Sequence, residues 1–241
     1  MFQIIVCSAG RAQILRSQTL KMLERAKPSS PIHIIVPEAQ VETYRAALSG
    51  AIPHTLHGCE KGLTKQRQYA RNLFPATERL LFVDDDIQRL RELVGERLAD
   101  VEDLDRVLED CFREAEAAGA TLWGIYPIAN RGWQTERVRR DRIYCVGAFY
   151  GIINSIPLEP VLDEAEDWAR ELEILHRGGH ILRFDRFGIQ TRYWKGDTGG
   201  IQRTTEETER IYNDLASRYS EWVVLMNKRK TGKLNLRFKK Q

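Results

Sequence analysis

Short apolar runs alternate with stretches of helical spacing through the first third of the chain. Phe2-Gln3-Ile4-Ile5-Val6-Cys7 is apolar and β-branched, residues 13–25 place apolar side chains at helical intervals, 32–36 is a second strand-like run and 41–48 a second helical one. Gly62-Leu63-Thr64 opens a helix that continues to Phe74 and is stopped by Pro75, and Leu80-Leu81-Phe82-Val83 returns to strand. This rhythm predicts parallel strands joined by right-handed crossovers, in an open α/β sheet whose ligands bind beyond the carboxyl ends of its strands.

The second half is less regular. Residues 103–119 form a charged amphipathic helix with Leu104, Val107, Leu108, Cys111 and Phe112 on the face expected to pack on the sheet, stopped by Gly119. Residues 121–126 and 144–153 are strand-like, and the Arg-rich stretch 130–142 between them reads as a hairpin excursion or a mobile loop. Residues 165–175 form a helix ended by Gly178-Gly179, and 204–219 form another. Before that last helix, Lys195-Gly196-Asp197-Thr198-Gly199-Gly200 is either a turn or a lid whose glycines permit closure over a ligand.

The candidate chemistry sits at one strand end. Asp84-Asp85-Asp86 follows Leu80-Leu81-Phe82-Val83 directly, so several carboxylates are delivered to one point on the sheet edge. Asp residues after strands also cap helices and turns. Like charges this close repel and raise one another's pKa, however, and a hard divalent cation with oxygen ligands relieves them and brings substrate phosphates with it. Ser8-Ala9-Gly10-Arg11 after the first strand and Pro37-Glu38 after the second fall on the same edge. No G-x-x-x-x-G-K-[ST] or G-x-G-x-x-G occurs, so a P-loop or dinucleotide-binding fold has no support.

Composition bounds these readings. With 241 residues, 42% of them hydrophobic, the chain can bury the core of one soluble domain. No stretch approaches the ~18 apolar residues of a membrane span, and Met1-Phe2-Gln3-Ile4-Ile5-Val6 lacks a signal peptide's basic flank, so a cytoplasmic protein is expected. Cys7, Cys59, Cys111 and Cys145 are scattered, as buried thiols in a reducing compartment would be. His54, His57, His176 and His180 lack the helical context of a zinc hydrolase. Net charge is only +3, yet Lys228, Arg229, Lys230, Lys233, Arg237, Lys239 and Lys240 accumulate near the end beside Leu234, Leu236 and Phe238. That segment is either a solvated end or a nucleic-acid arm, with Arg131, Arg137, Arg139, Arg140 and Arg142 as a second basic surface.

The order of these parts resembles the GT-A glycosyltransferases over most of residues 1–226. The strand-rich start with Ser8-Ala9-Gly10-Arg11, the segment Gly62-Leu63-Thr64-Lys65-Gln66-Arg67, the strand ending in Asp84-Asp85-Asp86 and the later Glu166-Asp167 carry the resemblance. Within that family it is most similar to the phage-type branch found beside TET/JBP-like pyrimidine oxygenases, whose members are thought to put sugars on hydroxymethylated pyrimidines in DNA. The resemblance implies a GT-A-like, mostly parallel open sheet flanked by helices, with a smaller mixed or antiparallel C-terminal part. It divides the chain into a catalytic domain at 1–226, with a nucleotide-binding half at about 1–100 and an acceptor half at about 101–226, and a basic tail at 227–241.

Residue by residue, the resemblance implies that Asp86 with Asp84 holds Mn²⁺ or Mg²⁺ and that Asp85 reaches the donor sugar or ribose. Ser8, Arg11 and Glu38 would line the nucleoside pocket, and Arg67 would approach ribose or phosphate with Arg71 as a competing choice; on the lid reading of the glycine loop, Lys195 would meet the diphosphate. Glu38 departs from the Asp often found at its position. Asp167, with Glu166 as the alternative, would be the general base of an inverting displacement. The expected donor is UDP-glucose and the expected acceptor a 5-hydroxymethylpyrimidine such as 5-hydroxymethylcytosine in DNA, held by the basic tail, in a host cytoplasm if the chain is phage-encoded. The rival readings are a protein or glycan acceptor, a GT-A-like sugar nucleotidyltransferase, and a noncatalytic nucleic-acid-binding protein.

Overall fold

Four parallel strands open the sheet. In the computed structural model, which describes residues 2–155, 165–191, 205–227 and 234–240, these are β1 (Phe2–Cys7), β2 (Ile32–Pro37), β3 (Thr55–Cys59) and β4 (Arg79–Asp84), side by side in the order β3-β2-β1-β4. Their crossovers carry α1 (Ala12–Ser17) and α2 (Thr19–Ala26), then α3 (Val41–Ala47), then α4 (Leu63–Asn72). Ile4, Ile5 and Val6 are all fully buried, because a parallel sheet is covered on both faces. That double burial is why these strands read as unbroken apolar runs.

Beyond β4 the chain forms a hairpin, β5 (Ile87–Val94) and β6 (Arg97–Asp100), then α5 (Leu104–Ala117), β7 (Ala120–Tyr126), β8 (Val138–Arg140), β9 (Phe149–Ile153), α6 (Glu166–His176), β10 (His180–Thr191), α7 (Thr205–Arg218), β11 (Val223–Asn227) and β12 (Leu234–Phe238). Strand β9 runs antiparallel between β4 and β7, β10 lies parallel to β7, and the β5–β6 hairpin closes the far edge against β10. Residues 87–100 therefore sit across the sheet from the strands that precede them in sequence. Between the two halves, Gly151 of β9 lies against the fully buried indole of Trp123, where a Cβ would overlap the ring.

Two elements depart from the sequence pattern for identifiable reasons. The helix expected over 13–25 is broken at Gln18 (φ −117°, ψ −81°), next to the buried Thr19, whose side chain bonds to the β4–β5 turn. The strand expected over 144–153 begins only at Phe149, because the backbone before it is held by side chains. Cys145 N–H donates to Glu171 (2.8 Å), the Tyr144 carbonyl accepts from Arg183 (2.9 Å) and the Gly147 carbonyl accepts from Arg67 (2.8 Å).

The C-terminal part forms its own antiparallel pair, β11 with β12. Leu236 of β12 and Val223 of β11 are buried with Trp168 and Leu172 of α6 and Ile211 and Leu215 of α7. Residues 234–238 of the segment expected as a tail thus contribute a strand and a core residue. Arg237, Lys239 and Lys240 are exposed there, while Lys228, Arg229, Lys230 and Lys233 lie outside the described residues. The Arg-rich excursion is tied down: β8 pairs with β10, and Arg139 and Arg183 both donate to the buried Asp185, at 2.5 and 2.7 Å. Among the described residues no helix is long and apolar enough to cross a membrane.

Candidate active site

The three aspartates at the end of β4 have different environments. Asp85 points inward and is 1% exposed; its carboxylate accepts from Ser8 Oγ at 2.5 Å and from Arg11 through Nε at 3.1 Å and through Nη2. Because Ser8 spends its one proton on Asp85, the Tyr44 hydroxyl donates to Ser8 at 2.7 Å, and itself accepts from Arg11 N–H at 3.0 Å. This buried network fixes the turn from below. Asp84 and Asp86 are left partly exposed, at 35% and 26% of their side chains, on the open side.

Thr19 fixes the same turn from α2. Its hydroxyl donates to the Asp84 carbonyl at 2.7 Å and accepts from Ile87 N–H at 2.9 Å, bracketing the three aspartates. Thr19→Val keeps the shape but leaves both backbone groups buried and unpaired, which is expected to cost about 2 kcal/mol of stability in urea unfolding. A variant as stable as the parent would show that Thr19 does not hold the turn.

Arg67 joins this turn to the second acidic cluster. From α4, its Nη2 donates to Asp84 at 3.1 Å and to the Gly147 carbonyl at 2.8 Å, while Nη1 pairs with Glu166 at the start of α6. Glu166 also accepts from Arg170 at 2.7 Å. Gly147 packs so closely here that a Cβ would lie 2.5 Å from the Glu166 carboxylate. Asp167 accepts from the Tyr144 hydroxyl and, at 2.9 Å, from Trp168 N–H.

Charge follows from this crowding. Enclosure by protein pushes Asp84 up to about 7, opposed by Arg67 and reinforced by Asp86 and Asp85. Burial raises Asp85 as well, against the pull of Arg11 and Ser8. Burial raises Asp167 and the neighbouring Glu166 adds to it, while the Tyr144 hydroxyl works the other way. Glu171, fully buried behind them, is raised well above the usual carboxylate range by desolvation.

The expected site residues thus fall into layers. Asp84, Asp86, Arg67, Glu166 and Asp167 are brought together; Ser8 and Asp85 lie beneath them, 3% and 1% exposed, bonded to each other; Arg11 reaches from that layer to Asp86 at 3.5 Å. Glu38 is exposed at the end of β2, its carboxylate against Gly58 of β3. Lys195 and the glycine loop lie outside the described residues. Thr19, Tyr44, Tyr144, Gly147 and Arg170 were not singled out from the sequence. Of these only Gly147 carried a signal, a glycine within a strand-like run, which marks close backbone approach.

A cavity of about 550 Å³ opens beside Asp167, lined by Tyr144, Trp168, Tyr212 and Phe238 together with Arg142 and Arg237. The Trp168 ring packs, tilted, 5.0 Å from the Tyr144 ring and 5.0 Å from the Phe238 ring of β12. Its mixture of aromatic faces and guanidinium groups suits a planar or sugar-like polar ligand carrying negative charge.

The donor set fits a hard divalent cation of the Mg²⁺ or Mn²⁺ type. Asp84 and Asp86 offer carboxylate oxygens on the open side, and burial, with Asp86 and Asp85 adding to it, raises Asp84 against the pull of Arg67, a cost that a bound cation would relieve. Among the described residues no group of three or more His, Cys, Asp or Glu side chains converges on one point. Two carboxylates are what such an ion takes when water and substrate phosphates complete its shell.

No family model matches this sequence, and no curated protein matches it in sequence. Solved structures do match. Residues 1–349 of S. aureus TarS superimpose with a TM-score of 0.52 at 12% identity, over 91% of this chain and 64% of that one. GalNAc-T7, solved with UDP, GalNAc and Mn²⁺, gives 0.52 at 11% identity, over 91% of this chain and 50% of its own. The fold is GT-A-like. It is that of the nucleotide-sugar transferases, an α/β sheet flanked by helices with a separate small antiparallel pair. The chain spans between half and two thirds of these two neighbours, and at such identities the likeness extends to the fold alone.

Proposed function

We propose that the protein is a metal-dependent, inverting glycosyltransferase that moves a hexose from a nucleotide sugar to an acceptor hydroxyl. The observation that carries this reading is the Arg67 guanidinium, which spans Asp84 at the sheet edge and Glu166 at the start of α6, so that the candidate cation-binding pair and the second carboxylate pair are joined through one side chain. A divalent cation bound by Asp84 and Asp86 would stabilise the charge that develops on the leaving diphosphate. Arg67 and Arg11, already beside these carboxylates, add positive charge on the donor side, and Glu38 lies on the same edge for the nucleoside. Ser8 and Asp85 act in this reading by holding the turn.

Asp167 serves as general base. Its raised pKa makes it a stronger base than an exposed carboxylate, and its two hydrogen bonds hold it at the aromatic cavity where an acceptor hydroxyl would enter. Glu166 is committed to Arg67 and Arg170, which favours Asp167 of the two. The donor is UDP-glucose and the acceptor a 5-hydroxymethylpyrimidine of DNA. Support for the acceptor comes from the stacking faces of Tyr144 and Trp168 and from Arg142 and Arg237 at the same cavity, which suit a flipped base and its phosphates.

The test is transfer from a panel of nucleotide sugars to duplex DNA containing hydroxymethylcytosine or hydroxymethyluracil, with Mn²⁺ or with EDTA, read by nucleoside mass spectrometry. A hexose adduct that forms with Mn²⁺ and disappears with EDTA is the expected result. Metal-dependent donor hydrolysis without an adduct would remove the DNA acceptor and keep the transferase; inertness toward every donor would remove both.

A further inference from the structure

Away from the aspartate turn, two imidazoles meet on the sheet face that α4 covers. His33 of β2 and His57 of β3 lie on adjacent parallel strands, with His33 opposite Thr55 and His57 opposite Ile35. Nδ1 of His33 is 3.1 Å from Nε2 of His57, and the ring centroids are 5.3 Å apart, little more than that distance plus the two ring radii. The nitrogens therefore face each other head-on, as a hydrogen bond requires.

The neighbours fix where the protons sit. Gln3 of β1 donates through Nε2 to Glu78 at 3.0 Å, so its Oε1 is the end that meets His33 Nε2 at 3.1 Å. An amide oxygen only accepts, which puts a proton on His33 Nε2 and leaves Nδ1 bare. His57 Nε2 must then carry the proton between the rings. One added proton can enter at His57 Nδ1 and keep this bond; a second would set two N–H donors and two charges against each other.

The surroundings do not offset that conflict. Gln3 faces the pair from β1, Tyr69 from α4 and Phe74 from just beyond its end, the Tyr69 ring 6.3 Å from His57 and Phe74 edge-on to His33 at 5.0 Å. Cys59, two residues along β3, is a thiol that burial pushes up to about 11. Glu60 and Lys65, at the other end of α4, pair with each other, and Glu78 reaches the rings only through Gln3. Burial lowers the pKa of His33, and His57 lowers it further; burial alone lowers His57. Both rings thus take protons less readily than in an opened chain, where each has its ordinary value of about 6.5. Stability from the pair is complete above that pH and is lost as pH falls below it.

We infer that His33 and His57 form an acid-sensitive latch beneath α4, a pair that admits one proton and resists the second, so that acid loosens the helix. That helix carries Gln66, which donates to the Ser8 and Ile35 carbonyls at 3.1 and 2.7 Å, and Arg67, which joins Asp84 to Glu166. The latch goes beyond the transferase reading and requires neither its donor nor its cation.

Two measurements on the full chain, in EDTA and without nucleotide sugar, test it. Proton–nitrogen correlation spectra of the imidazoles should show Nε2–H on both neutral rings, with one proton taken up below the ordinary range and the second lower still. Hydrogen exchange of the α4 amides, normalised to the unprotected rate at each pH, should quicken by about tenfold or more from about pH 7.5 to about pH 5.5, since each excluded proton is worth about tenfold per pH unit below about 6.5. His57→Phe keeps a ring beside Tyr69 and frees His33 Nδ1, and should cut that change to about a third or less. Independent titration of both rings at the ordinary value, an Nδ1–H tautomer on His33, α4 exchange that does not quicken with acid, or an undiminished effect in folded His57→Phe would each overturn the latch. The spectra need no variant, so they decide the matter even if His57→Phe does not fold. Because no cation or donor is present, failure here leaves the transferase reading untouched, and failure of transfer leaves the latch untouched.

Discussion

Asp86→Asn is expected to lower sugar transfer by about a thousandfold while leaving the fold intact, since cation stabilisation of a leaving group is worth several kcal/mol. The side chain is 26% exposed, and its one ion pair among the described residues, to Arg11, is 3.5 Å long. Its removal should therefore shift unfolding by no more than about 0.5 kcal/mol. Mn²⁺ is expected to raise the melting temperature of the parent protein, and the same variant should lose that rise. Initial rates at saturating donor, with and without Mn²⁺, check the first statement and a melting curve checks the second. Full activity in the variant would remove Asp86 from the cation site.

Asp167→Asn should abolish proton removal and keep donor binding. General-base catalysis contributes roughly 10²–10⁴ in rate, and a loss of that size is expected. Asparagine retains a carbonyl oxygen for Trp168 N–H and a group near the Tyr144 hydroxyl, so the start of α6 should stay in place. Calorimetric titration of nucleotide sugar with Mn²⁺ should give the same affinity in both proteins. The pH profile supplies a second signature. The base must be ionised to act, and burial raises the Asp167 pKa, so the parent's rate should climb with pH through a limb above the usual carboxylate range. That limb should be missing from the residual rate of the variant. A folded Asp167→Asn protein that no longer binds donor would place Asp167 in the donor site instead.

Much of the first half was legible in the sequence, for a physical reason. Strands buried on both faces have no polar alternation to confuse the pattern, so β1, β2 and β4 read as apolar runs and their carboxyl ends could be located. The β5–β6 hairpin was not legible. The buried positions of β5 are Ile87, Leu90 and Leu93, three apart, and a register irregularity at Gln190 and Thr191 of β10 brings Ile87 and Leu90 to the core in place of simple alternation. The break at Gln18 was hidden because Thr19 acts on a turn far away in the chain.

The site divides in the same way. The aspartate triplet is local and could be seen; that its middle member turns inward depends on Ser8 and Arg11 after another strand. The Glu166-Asp167 pair could be seen, but its meeting with Asp84 through Arg67 depends on closure of the whole sheet. The roles of Gly147 and Tyr144 depend on the same closure.

Among the described residues, the pair of β11 and β12 shares no hydrogen-bonded edge with the main sheet, yet its Phe238 and Arg237 form a wall of the cavity at Asp167. On the transferase reading, the wall that would face the acceptor is thereby separated, in sequence and in backbone pairing, from the strand ends that would grip the donor. Substitutions at Tyr212, Arg237 or Phe238 can reshape that wall without disturbing the Ser8–Asp85 network beneath the aspartates. On that reading, a lineage of such chains would change its acceptor by altering one small hairpin while its donor chemistry stayed constant.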